Sequence, residues 1–175
     1  MTIRKFKDFE PNIHSTAYVD ENSIVIGDVS IGAESSIWPM TVARGDVQKI
    51  IIGERTNIQD GSILHVTSDN IFTPGGTPLL IGNDVTIGHG AILHACTIEN
   101  KCLIGIGSII LDGAIIESNS MLAAGSLVGP NKIIESGMLY KGSPAKPARK
   151  LTEKELEYIS FSSKHYVKTM KQHIS

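Results

Sequence analysis

The chain has 175 residues, of which 41% are hydrophobic and 19% charged, a composition typical of one globular domain with a full core. Its formal net charge of -2 provides no basic field, so neither nucleic acid nor an anionic membrane is expected as a partner. The first residues, MTIRKFKDFEP, lack the apolar core of a signal peptide, and no run reaches the roughly 20 apolar residues of a membrane span. Two cysteines form no disulfide framework, so we expect a cytoplasmic protein.

In chain order, the dominant pattern is an apolar residue at every sixth position. The phase slips after residues 37–43 and by one residue between Leu93 and Ile98. Small side chains, such as Cys102 and Ser108, follow many of these positions four residues later. The repeating positions are Ile13, Val19, Val25, Ile31, Ile37; then Ile52, Ile58, Leu64, Ile81, Ile87, Leu93; then Ile98, Ile104, Ile110, Ile116, Leu122, Val128, Ile134 and Tyr140.

A period of six fits neither an amphipathic helix nor one long strand, but it fits a short strand and a turn repeated many times. Coils of this kind bury their inner faces only by stacking on one another. The sequence therefore predicts an all-β solenoid, a parallel β-helix. The segments IGDVSIGAESSIW, LIGNDVTIGHG and LIGIGSIILDGAII resemble the left-handed β-helix of hexapeptide-repeat proteins, which has three hexads in each triangular coil. The left hand is implied by that resemblance alone.

Two segments depart from the repeat. VTSDNIFTPGGTPL is rich in Gly, Pro and Thr and predicts a loop near residues 67–79 inside a β-helix domain of residues 1–150. Residues 151–175 change to a helical period, with a capping box of Thr152 and Glu155. We expect one carboxy-terminal α-helix packed on the β-helix, or on a neighbouring subunit. Its predicted apolar stripe is Leu156, Ile159, Tyr166, Val167, Met170 and Ile174.

Three of the six histidines lie in two related phrases, SILHV at 62–66 and TIGHGAILHA at 86–95. Three hexads separate Leu64 from Leu93 once the loop is discounted, so His65 and His94 should stack at one corner, about 4.8 Å apart. His89 belongs to the preceding hexad and should point away from that pair. Two chains are then needed to join all three, which predicts a homotrimer with a metal site at each interface.

Three imidazoles and an open position are typical of a catalytic metal site, where a bound water can have a pKa near 7. Imidazole ligands alone suit zinc, iron, copper and nickel. Any one of His65, His89 and His94 could instead be a surface corner residue, and it is their joint arrangement that favours metal binding.

A polar cluster precedes the first of these histidines in VARGDVQKIIIGERTNIQDGSILH. Groups of this kind orient metal ligands and tune the metal. Gln59 could donate to a metal-bound species, and Asp60 could accept from a ligand imidazole or pair with Arg44. The alternative is an ion-pair network of Arg44, Asp46 and Asp60 between subunits, with no part in turnover.

The elements RGD, NIQDGSILH and TIGHGAILHACTI together resemble the gamma-class carbonic anhydrase family over nearly the whole chain. The resemblance implies a metal held by His65, His89 and His94, with zinc as the first choice and iron or cobalt as the others. It implies intersubunit pairing by Arg44 and Asp46 and contact of Gln59 with hydroxide or bicarbonate. The remaining residues that it implies for the catalytic site are Asp60, Asn57 and Tyr140.

The implied function is metal-dependent, reversible hydration of CO2 to bicarbonate. The sequence departs from the archetype at Val47, which replaces a glutamate, and after His65, where Asp69 is the only nearby carboxylate. A hydration cycle must export a proton, so these two positions leave the shuttle unassigned. Two other hypotheses stay open: a coenzyme A-linked acyltransferase or thioesterase of the hexapeptide-repeat superfamily, and a non-catalytic metal-binding trimer. No other cofactor is expected, because no nucleotide-binding loop appears.

Overall fold

The computed structural model describes residues 2–174, which wind into stacked coils with one helix at the end. Almost all strand pairs are parallel, and each strand lies above the equivalent strand of the previous coil. The parallel β-helix predicted from the repeat is therefore confirmed. The strands are β1 (Ile3–Arg4), β2 (Asn12–Ile13), β3 (Tyr18–Val19), β4 (Ile24–Ile31), β5 (Ser36–Ile37), β6 (Val42–Ile52), β7 (Asn57–Ile58), β8 (Ile63–His65), β9 (Leu79–Ile81), β10 (Thr86–Ile87), β11 (Ile92–His94), β12 (Thr97–Ile98), β13 (Leu103–Ile104), β14 (Ile109–Ile110), β15 (Ile115–Ile116), β16 (Met121–Leu122), β17 (Leu127–Val128), β18 (Ile133–Ile134), β19 (Met138–Lys141) and β20 (Lys146–Lys150).

The strands form three faces. The histidine face contains β8, β11, β14 and β17 with the first halves of β4 and β6. The return face contains β9, β12, β15 and β18 with the second halves of β4 and β6. The helix face contains β3, β5, β7, β10, β13, β16 and β19, and the antiparallel β20 closes its end. Because β4 and β6 run on past a corner, the first two faces join into one sheet.

The core is built from the apolar members of the repeat. On the helix face, for example, Ile58, Ile87, Ile104 and Leu122 are paired in register and fully buried. Outward residues alternate with them along each strand. On β5, β7 and β10 the outward residue is buried as well, because the carboxy-terminal helix covers these strands. Each strand pairs through its backbone with the strands above and below, which satisfies the buried peptide groups.

Helix α1 (Glu153–Ile174) begins at the predicted capping box. The Thr152 backbone N–H donates to Glu155 Oε2 over 2.9 Å, and the Glu155 N–H donates back to Thr152 Oγ1 over 3.3 Å. The helix packs against β5, β7 and β10. Ile159 and Met170 are buried as the apolar stripe predicts, but Leu156 and Ile174 are exposed. Small serines complete the buried side, so the helix approaches the sheet closely.

Between β8 and β9 the chain leaves the coil as a small hairpin, which we name the hairpin loop (residues 67–77). Thr67 and Thr77 form an antiparallel bridge at its base, and Asn70 bridges Thr73 near its tip. The tip residue Phe72 is 89% exposed. The loop therefore projects from the corner at which His65 ends β8. Within residues 2–174, no helix has both the length and the apolarity that a membrane crossing requires.

Candidate metal centre

His65 and His94 are register partners on adjacent strands of the histidine face. β8 pairs with β11 through Leu64 and Leu93, and the next pair in the ladder is His65 with His94. His65 Nδ1 lies 3.2 Å from His94 Nε2. Two nitrogen ligands of a tetrahedral metal, each roughly 2.0–2.1 Å from it, lie about 3.3 Å apart. The spacing of these two rings therefore fits two ligands of one ion.

The other nitrogen of each ring is held by a carboxylate. Asp46 Oδ1 lies 3.1 Å from His65 Nε2, and Asp112 Oδ2 lies 2.9 Å from His94 Nδ1. An ionised carboxylate only accepts hydrogen bonds, so the nitrogen that faces it carries the proton. That leaves a lone pair on each of the two nitrogens that face one another. Carboxylate–histidine–metal arrangements orient ligands in this way.

Electrostatics favour the metal-binding form of His65. Burial, assisted by the charge of Arg44, lowers the pKa of His65 more than Asp46 raises it, which favours the neutral ring. Burial opposes the ionisation of Asp46, but hydrogen bonds from Arg44 and His65 outweigh it and hold the pKa of this carboxyl below its usual value. Arg44 Nη1 donates to Asp46 Oδ2 over 2.5 Å within one chain.

His89 lies elsewhere, at the corner between the helix face and the histidine face. It stands directly above Asp60 in a column of corner residues, because the Gly90 N–H donates to the Asp60 carbonyl. Its Nδ1 lies 2.9 Å from Asp60 Oδ2, so Nε2 is the nitrogen left for another partner. Asp60 thus meets an imidazole, as one of its two predicted roles requires, and Arg44 pairs with Asp46 instead.

A single chain does not bring the three histidines together. His89 lies at the corner before β11 and His94 is the last residue of β11, so the two stand at opposite ends of the histidine face. In the stretch from residue 2 to residue 174, no group of three His, Cys, Asp or Glu side chains could hold a metal ion. The structure therefore assembles two donors with their carboxylates at one corner and a third donor with its carboxylate at the other.

Of the predicted amide residues, Gln59 and Asn57 are both buried beside the His89 corner. Gln59 Nε2 donates to Asn57 Oδ1 over 3.1 Å, and Asn57 Nδ2 donates to Thr86 Oγ1 over 3.0 Å. This chain of hydrogen bonds fixes the Gln59 side chain in the wall of a cleft that His89 also lines.

That cleft lies between α1 and the helix face and has a volume of about 420 Å³. Its walls are mostly apolar, with Leu103 and Met121 on the sheet side and Tyr158 on the helix side. Tyr166 also lines it, and burial together with the charge of Asp60 raises the pKa of this phenol. Tyr166 was predicted only as part of a helical stripe.

The structure places Tyr140 away from these groups. It occupies the inward position of β19, paired with Leu122, and is only 6% exposed. Its side chain is the last rung of the apolar column, at least two coils from His89. Asp112, in contrast, did not appear among the residues predicted from sequence, although it touches His94. The one available signal was the one-residue slip of the repeat between Leu93 and Ile98.

Comparison with known proteins places the chain in a family. A family model described as bacterial transferase hexapeptide (six repeats) matches residues 95–130. Protein YrdA of Escherichia coli K12 is 49% identical, over 95% of this chain and 90% of that protein. Carbonic anhydrase of Geobacillus kaustophilus is 48% identical, over 94% of this chain and 87% of that protein.

Two further similar proteins carry different descriptions. Gamma carbonic anhydrase 2, mitochondrial, of Arabidopsis thaliana is 45% identical over 99% of this chain, which covers 62% of that protein. A Bacillus cereus crystal structure described as a putative acetyltransferase is 42% identical, has a TM-score of 0.91, and covers 98% of this chain and 95% of that chain. The relatives that are 48% and 49% identical over nearly the whole chain establish its family. The chain belongs to the gamma-class carbonic anhydrase-like family of hexapeptide-repeat proteins, which have a left-handed β-helix.

Proposed function

We propose that the chain forms a homotrimer with a metal centre at each subunit interface, and that these centres catalyse the reversible hydration of CO2 to bicarbonate. Each centre takes His65 and His94 from one subunit and His89 from the next. The observation that carries the proposal is the 3.2 Å approach of His65 Nδ1 and His94 Nε2, on rings whose other nitrogens are bound by Asp46 and Asp112.

An exposed apolar ladder supports the trimer. Its members point outward from successive strands of the histidine face and are paired in register from coil to coil. Ile24, Ile63 and Ile92 are 39%, 45% and 37% exposed, and a continuous apolar strip of this kind favours a protein interface. The ladder lies between the His89 corner and the corner that carries His65 and His94. Packing three such faces around an axis therefore brings the His89 corner of one subunit to the other histidine corner of the next. The ladder is Ile24, Val42, Ile63, Ile92, Ile109 and Leu127.

The metal ion, the carboxylates and Gln59 have different roles in the proposed reaction. A divalent ion of zinc, iron or cobalt, held by His65, His94 and the neighbouring subunit's copy of His89, would supply the Lewis acidity that brings the pKa of water towards neutrality. Asp46 fixes the tautomer and direction of His65, and Asp60 fixes those of His89. Gln59 uses one amide hydrogen on Asn57, which leaves a second to position a bicarbonate oxygen at the mouth of the cleft.

Proton export is assigned to the buffer. Asp69, the carboxylate nearest in sequence to His65, accepts from the Gly75 N–H over 2.8 Å inside the hairpin loop, where it stabilises the turn. We therefore assign no internal proton shuttle to the hairpin loop. A strong imidazole buffer should accept the proton and raise turnover in proportion to its concentration until another step limits the rate.

The test is stopped-flow CO2 hydration with protein of measured metal content, in imidazole buffers of increasing concentration. We expect turnover that follows metal content and disappears in His94→Ala. The matched control is His14→Ala, which removes an exposed imidazole bonded only locally to Thr16. Metal-loaded trimer without turnover would reject the reaction and leave the metal centre as a binding site.

Acyl chemistry is the second candidate, favoured by the Bacillus cereus structure described as a putative acetyltransferase and by the apolar cleft beside His89. It would make the chain a coenzyme A-linked acyltransferase or thioesterase. Coenzyme A binding measured by calorimetry, and preserved after metal is removed with a chelator, would support this candidate. Turnover of CO2 with no coenzyme A binding would exclude it. A trimer that binds metal and acts on neither substrate would be the non-catalytic alternative.

A further inference from the structure

The hydrogen bond from His94 continues beyond the metal centre. His94 Nδ1–H donates to Asp112 Oδ2 over 2.9 Å, and the hydroxyl of Thr67 donates to the other oxygen, Asp112 Oδ1. Both oxygens of this carboxylate are therefore engaged, one with a candidate ligand and one with the first residue of the hairpin loop. A carboxylate held at both oxygens cannot rotate without losing a hydrogen bond.

Thr67 is itself fixed. Its backbone N–H donates to the Thr77 carbonyl over 3.1 Å, and the Thr77 N–H donates back over 2.9 Å. This pair of bonds closes the base of the hairpin loop, so the Thr67 hydroxyl is presented by a closed ring of backbone. The relay Thr67–Asp112–His94 thus connects residues that are distant in sequence but adjacent at one corner.

A length mismatch between neighbouring coils creates the place for Asp112. The step from Leu93 to Ile98 contains five residues, whereas the step above it, from Ile110 to Ile116, contains six. The shorter step turns its corner with Ala95 in the left-handed region, at φ 47°. Asp112 lies in the longer step, and the Gly113 N–H next to it donates to the Ala95 carbonyl over 2.8 Å. The carboxylate consequently reaches down to His94.

The charge state of Asp112 agrees with this placement. Each of its two oxygens accepts a hydrogen bond, one from Thr67 and one from His94, and bonds of this kind favour the ionised carboxylate. At neutral pH the group is an anion that can only accept, so it selects the Nδ1–H tautomer of His94 and leaves the Nε2 lone pair facing His65.

We propose that Asp112, held in place by Thr67, is a positioning residue that sets the tautomer and ring direction of His94 as a metal ligand. The inference rests on the proposed metal centre and deepens it. It assigns a role to the base of the hairpin loop, which anchors the carboxylate behind the ligand. Asp112 itself touches neither the metal nor the substrate.

The experiment compares zinc affinity and the visible absorption spectrum of the cobalt-loaded trimer in wild type and Asp112→Asn. We expect zinc affinity to fall by about 10- to 100-fold and the cobalt bands to change in position or intensity, because the ligand ring is no longer held by a charged acceptor. The matched control is Asp84→Asn, which removes the same charge and also breaks an ion pair, but with Arg55 at another corner.

A second pair of variants tests whether the Thr67 hydroxyl positions Asp112, while the fold of the hairpin loop is kept. Thr67→Val keeps the shape of the side chain and loses the hydroxyl, whereas Thr67→Ser keeps the hydroxyl. We expect valine to weaken zinc binding less than Asp112→Asn does, and serine to restore it. Equal affinities in these variants would show that the hydroxyl has no part in the relay.

The outcomes distinguish the two proposals. Wild-type trimer that binds zinc, with Asp112→Asn within about twofold of it and an unchanged cobalt spectrum, would overturn the positioning role and leave the metal centre standing. Wild-type protein that binds neither zinc nor cobalt would overturn both. Altered metal binding in a trimer that does not hydrate CO2 would support the positioning role and reject only the reaction.

Discussion

Two regions of the β-helix follow the same repeat with different regularity. In the regular coils (residues 98–134), inward apolar residues recur at every sixth position without interruption, and neighbouring strands pair in constant register. In the histidine coils (residues 42–98), the repeat is broken by the long strand β6, by the hairpin loop and by the five-residue step after Leu93. All three candidate metal ligands lie in the histidine coils.

The difference follows from the geometry of stacking. A uniform coil places equivalent positions of the repeat above one another, so every corner repeats the same kind of contact, as Ser118 with Glu99 and Ser136 with Glu117. Irregular steps shift corners relative to one another and bring unlike side chains into contact. That is how Asp112 of a regular step meets His94 of a short one, and how Asp46 of β6 meets His65.

The largest expected effect comes from breaking the apolar ladder beside the histidines. Ile92→Asp should leave the inward side of β11 unchanged but place a charge in the proposed interface, where it would be buried without a partner. We expect loss of the trimer in sedimentation equilibrium and, with it, loss of metal binding. Ile133→Asp is the control, since Ile133 is 54% exposed on the return face. Equal behaviour of the two variants would contradict the assignment of the interface.

The next largest effect concerns the regular coils. Ile116 is fully buried and paired with Ile98 and Ile134, so Ile116→Ala should leave a cavity and cost about 2–5 kcal/mol in the free energy of unfolding. Urea denaturation measures this cost. The outward neighbour Ile115→Ala should cost less. Metal stoichiometry should stay that of wild type in both variants, and a loss of metal would show that the two regions are not independent.

A smaller effect is expected at the His89 corner. Asp60→Asn keeps an oxygen acceptor for His89 Nδ1–H but removes its charge, and it should weaken metal binding by about 10-fold. Competition with a metal indicator measures the change, again with Asp84→Asn as reference. Unchanged affinity would mean that the neighbouring subunit, and not Asp60, fixes the direction of His89.

The smallest effect is expected at the start of α1. Hydrogen bonds from Arg149 and Thr152 lower the pKa of Glu155 to about 2. Because this pKa is lower in the folded chain than the ordinary value near 4.3, the stabilisation is complete above about pH 5 and is lost as the pH falls towards 2. The difference in Tm between wild type and Glu155→Gln should therefore shrink with acidification. Glu153→Gln, in the same turn, gives the comparison.

Sequence periodicity was sufficient for the coils because one apolar residue in six must point inward wherever the chain winds this way. It also placed His94 directly above His65, since counting hexads is equivalent to counting coils. The third histidine followed from the same count: His89 belongs to another hexad and lies at another corner.

Side-chain partners across coils were harder to predict. Asp112 is eighteen positions from His94, as any residue one coil above would be, and only the five-residue step lifts the carboxylate onto the ring. Tyr140 was implied near the site by resemblance, yet its repeat position predicts the buried rung that it occupies. Tyr166 reaches the cleft because α1 folds back on the helix face, and a helical period gives no information on that docking direction.

The separation of His89 from His94 along one face has a genetic consequence. If each centre takes these two residues from different chains, a His89→Ala chain and a His94→Ala chain are each defective for a different half of the site. Mixed at random in one trimer, they would regenerate about one intact interface in four, formed where an unaltered His94 meets an unaltered His89. Two inactive alleles expressed together would then complement each other, as products of a gene whose active sites are shared between subunits.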